Sequence, residues 1–149
     1  MAPAFRMRAC TIFLITFVMG MTGAQLTLVP TLSHRCDNVT GVEYAHFPLI
    51  RGSFLEAFQY CVVHFEHSTT AFPANSDEDE CVSSVYGQDV SIWLGIRRNT
   101  NPGIWINSKL MPQTYLNFEP SQPDSPDQIA CITMWAGKSG QWDDTPCHW

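Results

Sequence analysis

Apolar residues at intervals of three and four predict a first helix behind Ser53. This spacing places them on one face of a helix, where they can be buried together. Ser53 and Glu56 have the spacing of a capping box, in which each side chain accepts a hydrogen bond from a free backbone amide of the first turn. The apolar residues of this stripe are Phe54, Phe58, Cys61, Val62 and Phe65.

A second helix is predicted to start at Ser76, where Ser-Asp-Glu-Asp repeats the capping-box arrangement, with Ser76 as the cap, before Cys81, Val82 and Val85. The acidic run 77–80 allows two interpretations, a metal site or the first turn of a helix. Negative side chains at a helix N-terminus interact favourably with the helix dipole. The helix interpretation is therefore favoured.

Beyond residue 91 the chain consists of short apolar runs separated by Gly, Pro, Asn and Ser, a pattern typical of strands and long loops. The runs that predict buried strands are 92–96, 103–106 and 129–135. An earlier run, 41–50, is interrupted by Pro48, which predicts an edge strand or a bulged one because proline cannot donate a ladder hydrogen bond. Helices followed by strands predict an α+β domain.

Residues 1–24 have the composition of a secretory signal peptide. Arg6 and Arg8 precede a mostly apolar stretch, and small residues lie just before Gln25. We therefore expect a secreted protein that begins with a lead-in, 25–43, with an uncleaved anchor as the alternative. The apolar stretch is shorter than the about 20 residues that cross a bilayer, and we expect no membrane span in the mature chain.

Charge and composition narrow the classes of partner. The chain carries a formal charge of −6, and 15% of its residues are charged, against about 25% in typical proteins. Loss of residues 1–24 would remove two basic residues and no acidic one, which makes the mature chain more acidic. The aromatic content excludes a disordered chain, and the acidity argues against a nucleic-acid partner.

Secretion would place five of the six cysteines in an oxidising compartment, where disulfides form by default. Cys10 would leave with the signal peptide. Because five is odd, one thiol stays free, pairs between chains or has lost a partner beyond residue 149. Asn38 begins an Asn-Val-Thr sequon, which predicts a glycosylated surface.

Several motifs follow one another between residues 44 and 149. They are the segment 54–61, Trp-Leu-Gly-Ile at 93–96, Trp105 with Asn107-Ser108, Asn117-Phe118, Gln122-Pro123-Asp124, Cys131, Gly-Gln-Trp-Asp-Asp at 140–144, and Cys147. In this order and spacing they resemble a C-type lectin-like domain. The resemblance implies a double-looped α+β domain over 44–149, with two helices, small antiparallel sheets and a long loop region that binds calcium.

The resemblance also implies a disulfide pattern. Cys131 and Cys147 match one family pair, whose cross-link would contribute on the order of 3 kcal/mol. The family pairs the first-helix cysteine, here Cys61, with a cysteine in a closing strand that this chain does not reach. We favour a domain that lacks its final strand and leaves Cys61 without its partner; pairing of Cys61 with Cys81 or Cys36 is the alternative.

Calcium ligands are implied at four positions. In the family, a cis proline turns the two flanking side chains toward one ion, and here these are Gln122 and Asp124. Asp143 and Asp144, placed at the end of a strand whose Trp142 packs inward, would add two carboxylates. The remaining ligand is normally an acid where this chain has Ile129, so we expect reduced calcium affinity, with Asp127 or a water as a substitute.

The same ligands, Gln122, Asp124, Asp143 and Asp144, would bind carbohydrate. Two vicinal hydroxyls complete the coordination of calcium, and Gln-Pro-Asp resembles the galactose type. Galactose binders usually add an aromatic platform just after this tripeptide, where Ser125 stands; Trp135 is a possible substitute, although ordinary packing is the favoured role of its ring.

We therefore expect a secreted, calcium-dependent module for a carbohydrate or glycoprotein ligand. The alternatives are a calcium-independent protein-binding module and a truncated fragment without binding activity. Cys61 with His64, or His64 with His67, matches no catalytic or zinc pattern, so we do not expect an enzyme.

Overall fold

The computed structural model describes residues 8–13, 32–35, 43–65, 67–86, 91–101, 103–125, 129–135 and 137–148. These parts of the chain contain two helices and eight strands. In chain order they are β1 (Arg8–Phe13), β2 (Leu32–Arg35), β3 (Glu43–Arg51), α1 (Phe54–His64), β4 (Ser68–Thr70), α2 (Ser76–Tyr86), β5 (Ile92–Arg98), β6 (Trp105–Asn107), β7 (Ala130–Met134) and β8 (Trp142–Pro146).

The strands form one sheet in the order β2-β3-β1-β5-β7-β8, with β4 paired to β1 and β6 paired to β5. The pairs β1–β3 and β1–β4 are parallel, and the other pairs are antiparallel. This arrangement confirms the α+β class. Strand β3 has neighbours on both sides, so Pro48 does not lie in an edge strand; a register shift follows Phe47 in its pairing with β1, as expected of a bulge.

Strand β1 lies within the segment predicted as a signal peptide. It pairs with β3, β4 and β5, and its Cys10 is in register with Ala45 and Thr70. Cleavage before Gln25 would remove this strand from the sheet, and the signal peptide stays a prediction. The sequon at Asn38 lies outside the described residues. None of the helices in the described ranges is long and apolar enough to cross a membrane.

Two apolar clusters lie against β5 because its successive side chains point to opposite faces. Trp93 packs in one cluster with Ala57 and Cys61 of α1. Leu94, on the opposite face, belongs to the other cluster, which includes Trp142. Both of these β5 side chains are fully buried. The Trp-Leu-Gly-Ile motif therefore packs against α1 on one face and against the cluster that contains Trp142 and Val82 of α2 on the other.

Helix α1 begins with the predicted capping box. The Glu56 amide donates to Ser53 Oγ at 3.5 Å, and the Ser53 amide donates to Glu56 Oε2 at 2.7 Å. The buried face differs from the predicted stripe: it is centred on Ala57 and Cys61, whereas Val62 is 47% exposed. The apolar spacing predicted the helix, but the neighbouring strand decides which part of the stripe is covered.

Helix α2 is capped one residue earlier than predicted. Asn75 Oδ1 accepts a hydrogen bond from the Glu78 amide at 2.9 Å, which is the geometry of an N-cap. The acidic run does form the first turn of the helix. However, Glu78 and Asp79 are buried, at 5% and 4% exposure, so half of this run faces the protein interior instead of solvent.

The cysteines correct one prediction. Cys61 and Cys81 are both disulfide-bonded, so the favoured expectation that Cys61 has no partner was wrong. None of the four cysteines between residues 43 and 148 is free. The predicted bridge between Cys131 and Cys147 is confirmed, with 5.0 Å between its two Cα atoms. It joins β7 to the residue that follows β8.

Candidate cation-binding site

Strand β8 contains two adjacent acids that differ in solvent exposure. Trp142, Asp143 and Asp144 are all residues of β8, so the two acids lie within the strand and not at its end as predicted. The Trp142 side chain is fully buried, as predicted, and Asp144 is 3% exposed. Its neighbour Asp143 is partly exposed. Pairing with β7 places Asp143 opposite Thr133 and Asp144 opposite Ile132.

The loop that contains Gln122, Pro123 and Asp124 lies beside β8. The Gln122–Pro123 peptide bond is cis, as the resemblance implied. The loop is joined to the start of β8 by two backbone hydrogen bonds: the Trp142 amide donates to Asn117 O at 2.8 Å, and the Glu119 amide donates to Trp142 O at 3.0 Å. These bonds fix the loop next to the acids of β8.

Asp144 closes this loop onto the sheet. Its Oδ1 atom accepts hydrogen bonds from the backbone amides of Asp124, at 2.8 Å, and Ser125, at 3.2 Å. The Gln122 carboxamide folds back onto the same turn, since its Oε1 atom accepts from the Asp124 amide at 3.1 Å. The loop conformation therefore depends on side-chain oxygens that are also the predicted calcium ligands.

Three carboxylates converge at this point. One oxygen each of Asp124, Asp143 and Asp144 lies within 4.8 Å of the other two. Burial raises the pKa of Asp143, and the charges of Asp144 and Asp124 raise it further, whereas a hydrogen bond from Thr145 opposes the shift. Like charges held this close repel one another. The cluster therefore favours a neutralising cation.

Arg98 of β5 supplies one positive charge to the cluster. Its Nη2 atom donates to Asp144 Oδ2 at 2.7 Å, and its Nη1 atom donates to Ser125 O at 3.3 Å. The guanidinium also lies 5.0 Å from the centre of the Trp105 ring. Sequence reasoning did not identify this residue, although strand alternation between exposed Arg97 and partly buried Arg98 would have indicated that the two arginines face different sides.

The other predicted positions contribute less. Ile129 is 72% exposed and offers no side-chain oxygen, and the reduced calcium affinity expected from it stays a prediction. Asp127 lies outside the described residues. Trp135 is partly buried, and Lys138 Nζ lies 5.2 Å from the centre of its ring. The Trp135 ring therefore packs against the Lys138 side chain.

The donor chemistry of the cluster fits calcium. Calcium prefers six to eight oxygen ligands, and carboxylate and amide oxygens are the types it uses in proteins. Asp124, Asp143, Asp144 and the Gln122 carboxamide would hold the ion, although Asp144 already accepts hydrogen bonds from Arg98 and two backbone amides. Among the described residues, the three carboxylates and the guanidinium sum to a charge of −2, which matches a divalent cation.

Comparison with known proteins identifies the family of this chain. The Lectin C-type domain family matches residues 50–149. The human C-type mannose receptor 2 is 33% identical over 61 residues, which cover 41% of this chain and 4% of the receptor. A tetranectin-like protein from Carcharhinus perezii is 24% identical over 100 residues, 64% of this chain and 59% of the relative. The chain thus spans less than two thirds of either relative.

Solved structures show the same fold at low sequence identity. The mouse scavenger receptor C-type lectin carbohydrate-recognition domain has a TM-score of 0.56 at 23% identity, covering 66% of this chain and 76% of that one. A calcium-independent type II antifreeze protein has a TM-score of 0.57 at 21% identity, covering 66% and 72%. The match over residues 50–149 and the shared fold establish that this chain belongs to the C-type lectin domain family.

Proposed function

We propose that this domain is an extracellular carbohydrate-binding module that holds calcium through Gln122, Asp124, Asp143 and Asp144. The observation that supports the proposal most directly is the approach of three carboxylate oxygens to within 4.8 Å of one another. Asp124 is exposed, so a ligand can reach it from solvent. The similar mouse domain is a carbohydrate-recognition domain by its description.

The residues of the cluster have different tasks in this proposal. A bound calcium ion supplies coordination positions for two hydroxyl groups of a sugar. In this proposal Asp124 accepts a hydrogen bond from a sugar hydroxyl, and the Gln122 carboxamide can both donate and accept. Asp144 holds the loop to β8 through its backbone hydrogen bonds.

Galactose is the preferred sugar class in this proposal because Gln122, Pro123 and Asp124 resemble the galactose-type tripeptide. The position after the tripeptide is Ser125, which provides no ring for the apolar face of the sugar. We therefore expect weak monosaccharide binding that becomes measurable on a multivalent matrix.

Affinity chromatography tests the proposal directly. The secreted protein is applied to galactose-agarose and mannose-agarose in about 5 mM calcium and is eluted with EGTA. This concentration exceeds the dissociation constants of extracellular calcium modules, which are about 0.1 to 1 mM. We expect retention on galactose that is lost in Asp124→Asn and Asp143→Asn. Asp77→Asn, which removes an exposed acid of α2, is the matched control and should be retained.

A second function, calcium-independent protein binding, is favoured by one observation. Arg98 already neutralises part of the charge of Asp144, and Ile129 contributes no ligand. If neither sugar matrix retains the protein, and calcium does not raise its melting temperature, this second function replaces the first. A cation present at ten times its dissociation constant stabilises the fold by about 1.4 kcal/mol, which is measurable.

Secretion and glycosylation belong to the same proposal. Mass spectrometry of the protein from the culture medium should find Gln25 as the first residue and a glycan on Asn38. A secreted chain that still contains residues 8–13 would contradict the predicted cleavage.

A further inference from the structure

The carboxylate of Asp144 is enclosed by donors. Its side chain has no solvent exposure, and Oδ1 accepts from two backbone amides. Oδ2 accepts from Arg98 Nη2 at 2.7 Å and from the Ser125 amide at 3.2 Å. A buried carboxylate is costly unless a positive charge and hydrogen bonds compensate it. Arg98 provides that charge.

Arg98 is also held in place by groups other than Asp144. Its Nη1 atom donates to Ser125 O at 3.3 Å, and its guanidinium lies against the ring of Trp105 at 5.0 Å. Trp105 is opposite Arg98 in the β5–β6 register. The guanidinium is therefore positioned by the sheet, and it joins β5, β8 and the loop that contains Asp124.

We propose that Arg98 is a built-in counter-ion that keeps the Asp124 loop ordered without calcium and lowers the affinity of the cluster for divalent cations. This inference rests on the proposed function because it concerns the same cluster. A cation that approaches Asp144 meets the positive charge of Arg98 and competes for the same oxygens. The guanidinium thus sets how strongly this domain depends on calcium.

The test replaces Arg98 by glutamine and uses Arg97→Gln as the matched control. Arg97 is exposed and lies on the same strand, so its replacement removes an equal charge from a different side of the strand. Calcium affinity is measured by calorimetry, and terbium affinity by tryptophan-sensitised luminescence. Melting temperatures are recorded in EDTA.

Arg98→Gln should bind calcium and terbium about tenfold more tightly, because one positive charge next to a divalent ion has been removed. In EDTA it should melt about 5 to 10 °C lower, since Asp144 is left buried without its charged partner. Arg97→Gln should match the unsubstituted protein in both measurements. If Arg98→Gln folds only when calcium is present, the proposal is also supported.

The outcomes separate this inference from the proposed function. If only Arg98→Gln binds calcium, the counter-ion role is supported, although the natural chain is then not a calcium-dependent lectin. If Arg98→Gln and the unsubstituted protein bind calcium with equal affinity, the counter-ion role is overturned and calcium binding stands. The counter-ion role is also overturned if neither Arg98→Gln nor the unsubstituted protein binds calcium. The same holds if Arg98→Gln is unfolded and calcium does not restore its fold.

Discussion

The indole of Trp142 donates a hydrogen bond to Asp79 Oδ1 at 2.8 Å, although the two residues are 63 positions apart. Asn117 Nδ2 donates to the other oxygen at 2.6 Å, and the Tyr115 hydroxyl donates to it at 3.3 Å. Asp79 therefore ties α2 to the start of β8 and to the loop before the candidate site. Asp79, a residue of the acidic run at the start of α2, thus helps to position the strand and the loop that form the candidate site.

Replacing Asp79 by alanine should destabilise the domain by about 2 to 4 kcal/mol. The change leaves the buried Trp142 N–H and the Asn117 amide without their acceptor, and each such loss costs about 1 to 3 kcal/mol. Urea unfolding followed by tryptophan fluorescence measures the free energy of unfolding. Asp77→Ala, on the exposed side of the same turn, should change it by less than about 1 kcal/mol. Equal effects of the two substitutions would contradict this role of Asp79.

The stability contributed by Asp79 should depend on pH. Burial raises the pKa of its carboxyl from 3.8 to about 6, although three hydrogen-bond donors oppose the shift. Between pH 4 and 6 the folded state therefore binds more protons at this group than the unfolded state does. Its contribution becomes more favourable as the pH falls through 6 and levels off below 4.

Comparison with Asp79→Asn isolates this contribution. Burial lowers the pKa of His46 to about 4, so its protonation destabilises the fold over the same range in both proteins. The difference in unfolding free energy removes this common effect. We expect the unsubstituted protein to gain up to about 3 kcal/mol relative to Asp79→Asn between pH 7 and pH 4. A difference that is independent of pH would contradict the raised pKa.

Gly95 should be intolerant of any side chain. A Cβ atom at this position would lie 2.7 Å from the backbone oxygen of Thr70. Real Cβ atoms essentially never show a contact this short. The Gly95 amide also donates to Ala71 O at 2.6 Å, so the two segments cannot easily separate. We expect Gly95→Ala to cost about 2 to 3 kcal/mol through overpacking.

Gly103→Ala is the comparison for Gly95. Gly103 has a φ of +81° and no atom within 4 Å of an added Cβ, so its replacement should cost about 1 to 2 kcal/mol from backbone strain alone. Chemical denaturation of both variants tests the difference. A smaller loss for Gly95→Ala than for Gly103→Ala would show that the chain relaxes around Thr70.

Local sequence patterns were sufficient for the two helices and for strands β3, β5, β6 and β7, whereas β1, β2, β4 and β8 were not predicted from them. The capping box of Ser53 and Glu56 depends on residues three positions apart, and the strand of Trp93 is a continuous apolar run; neither requires knowledge of the rest of the fold. The approach of Asp124 to Asp143 and Asp144 was inferred from the family resemblance and not from spacing. Local patterns therefore predicted much of the secondary structure, whereas the family resemblance predicted the site.

The sequence could not reveal contacts set by tertiary packing. Arg98 meets Asp144 across 46 positions, and nothing local distinguishes it from Arg97 except strand alternation. Asp79 and Asp77 belong to the same acidic run, yet only Asp79 faces the core. The cap at Asn75 was missed because Ser76 has equally suitable chemistry. Burial separates Arg98 from Arg97 and Asp79 from Asp77, whereas the cap is decided by the hydrogen bond that Asn75 accepts from the Glu78 amide.

Removing the Cys131–Cys147 bridge should weaken the site as well as the fold. The bridge holds β7 to the end of β8, and the backbone oxygen of Cys147 accepts a hydrogen bond from the Phe54 amide at 3.1 Å. A cross-link that closes a loop of this length contributes on the order of 3 kcal/mol, by restricting the unfolded chain. Replacing both cysteines by alanine should therefore lower the free energy of unfolding by about that amount.

Because Asp143 and Asp144 lie on β8, terbium affinity should fall in the same variant. Full stability combined with reduced terbium affinity would mean that the bridge positions β8 without stabilising the fold, and retention of both properties would contradict the prediction.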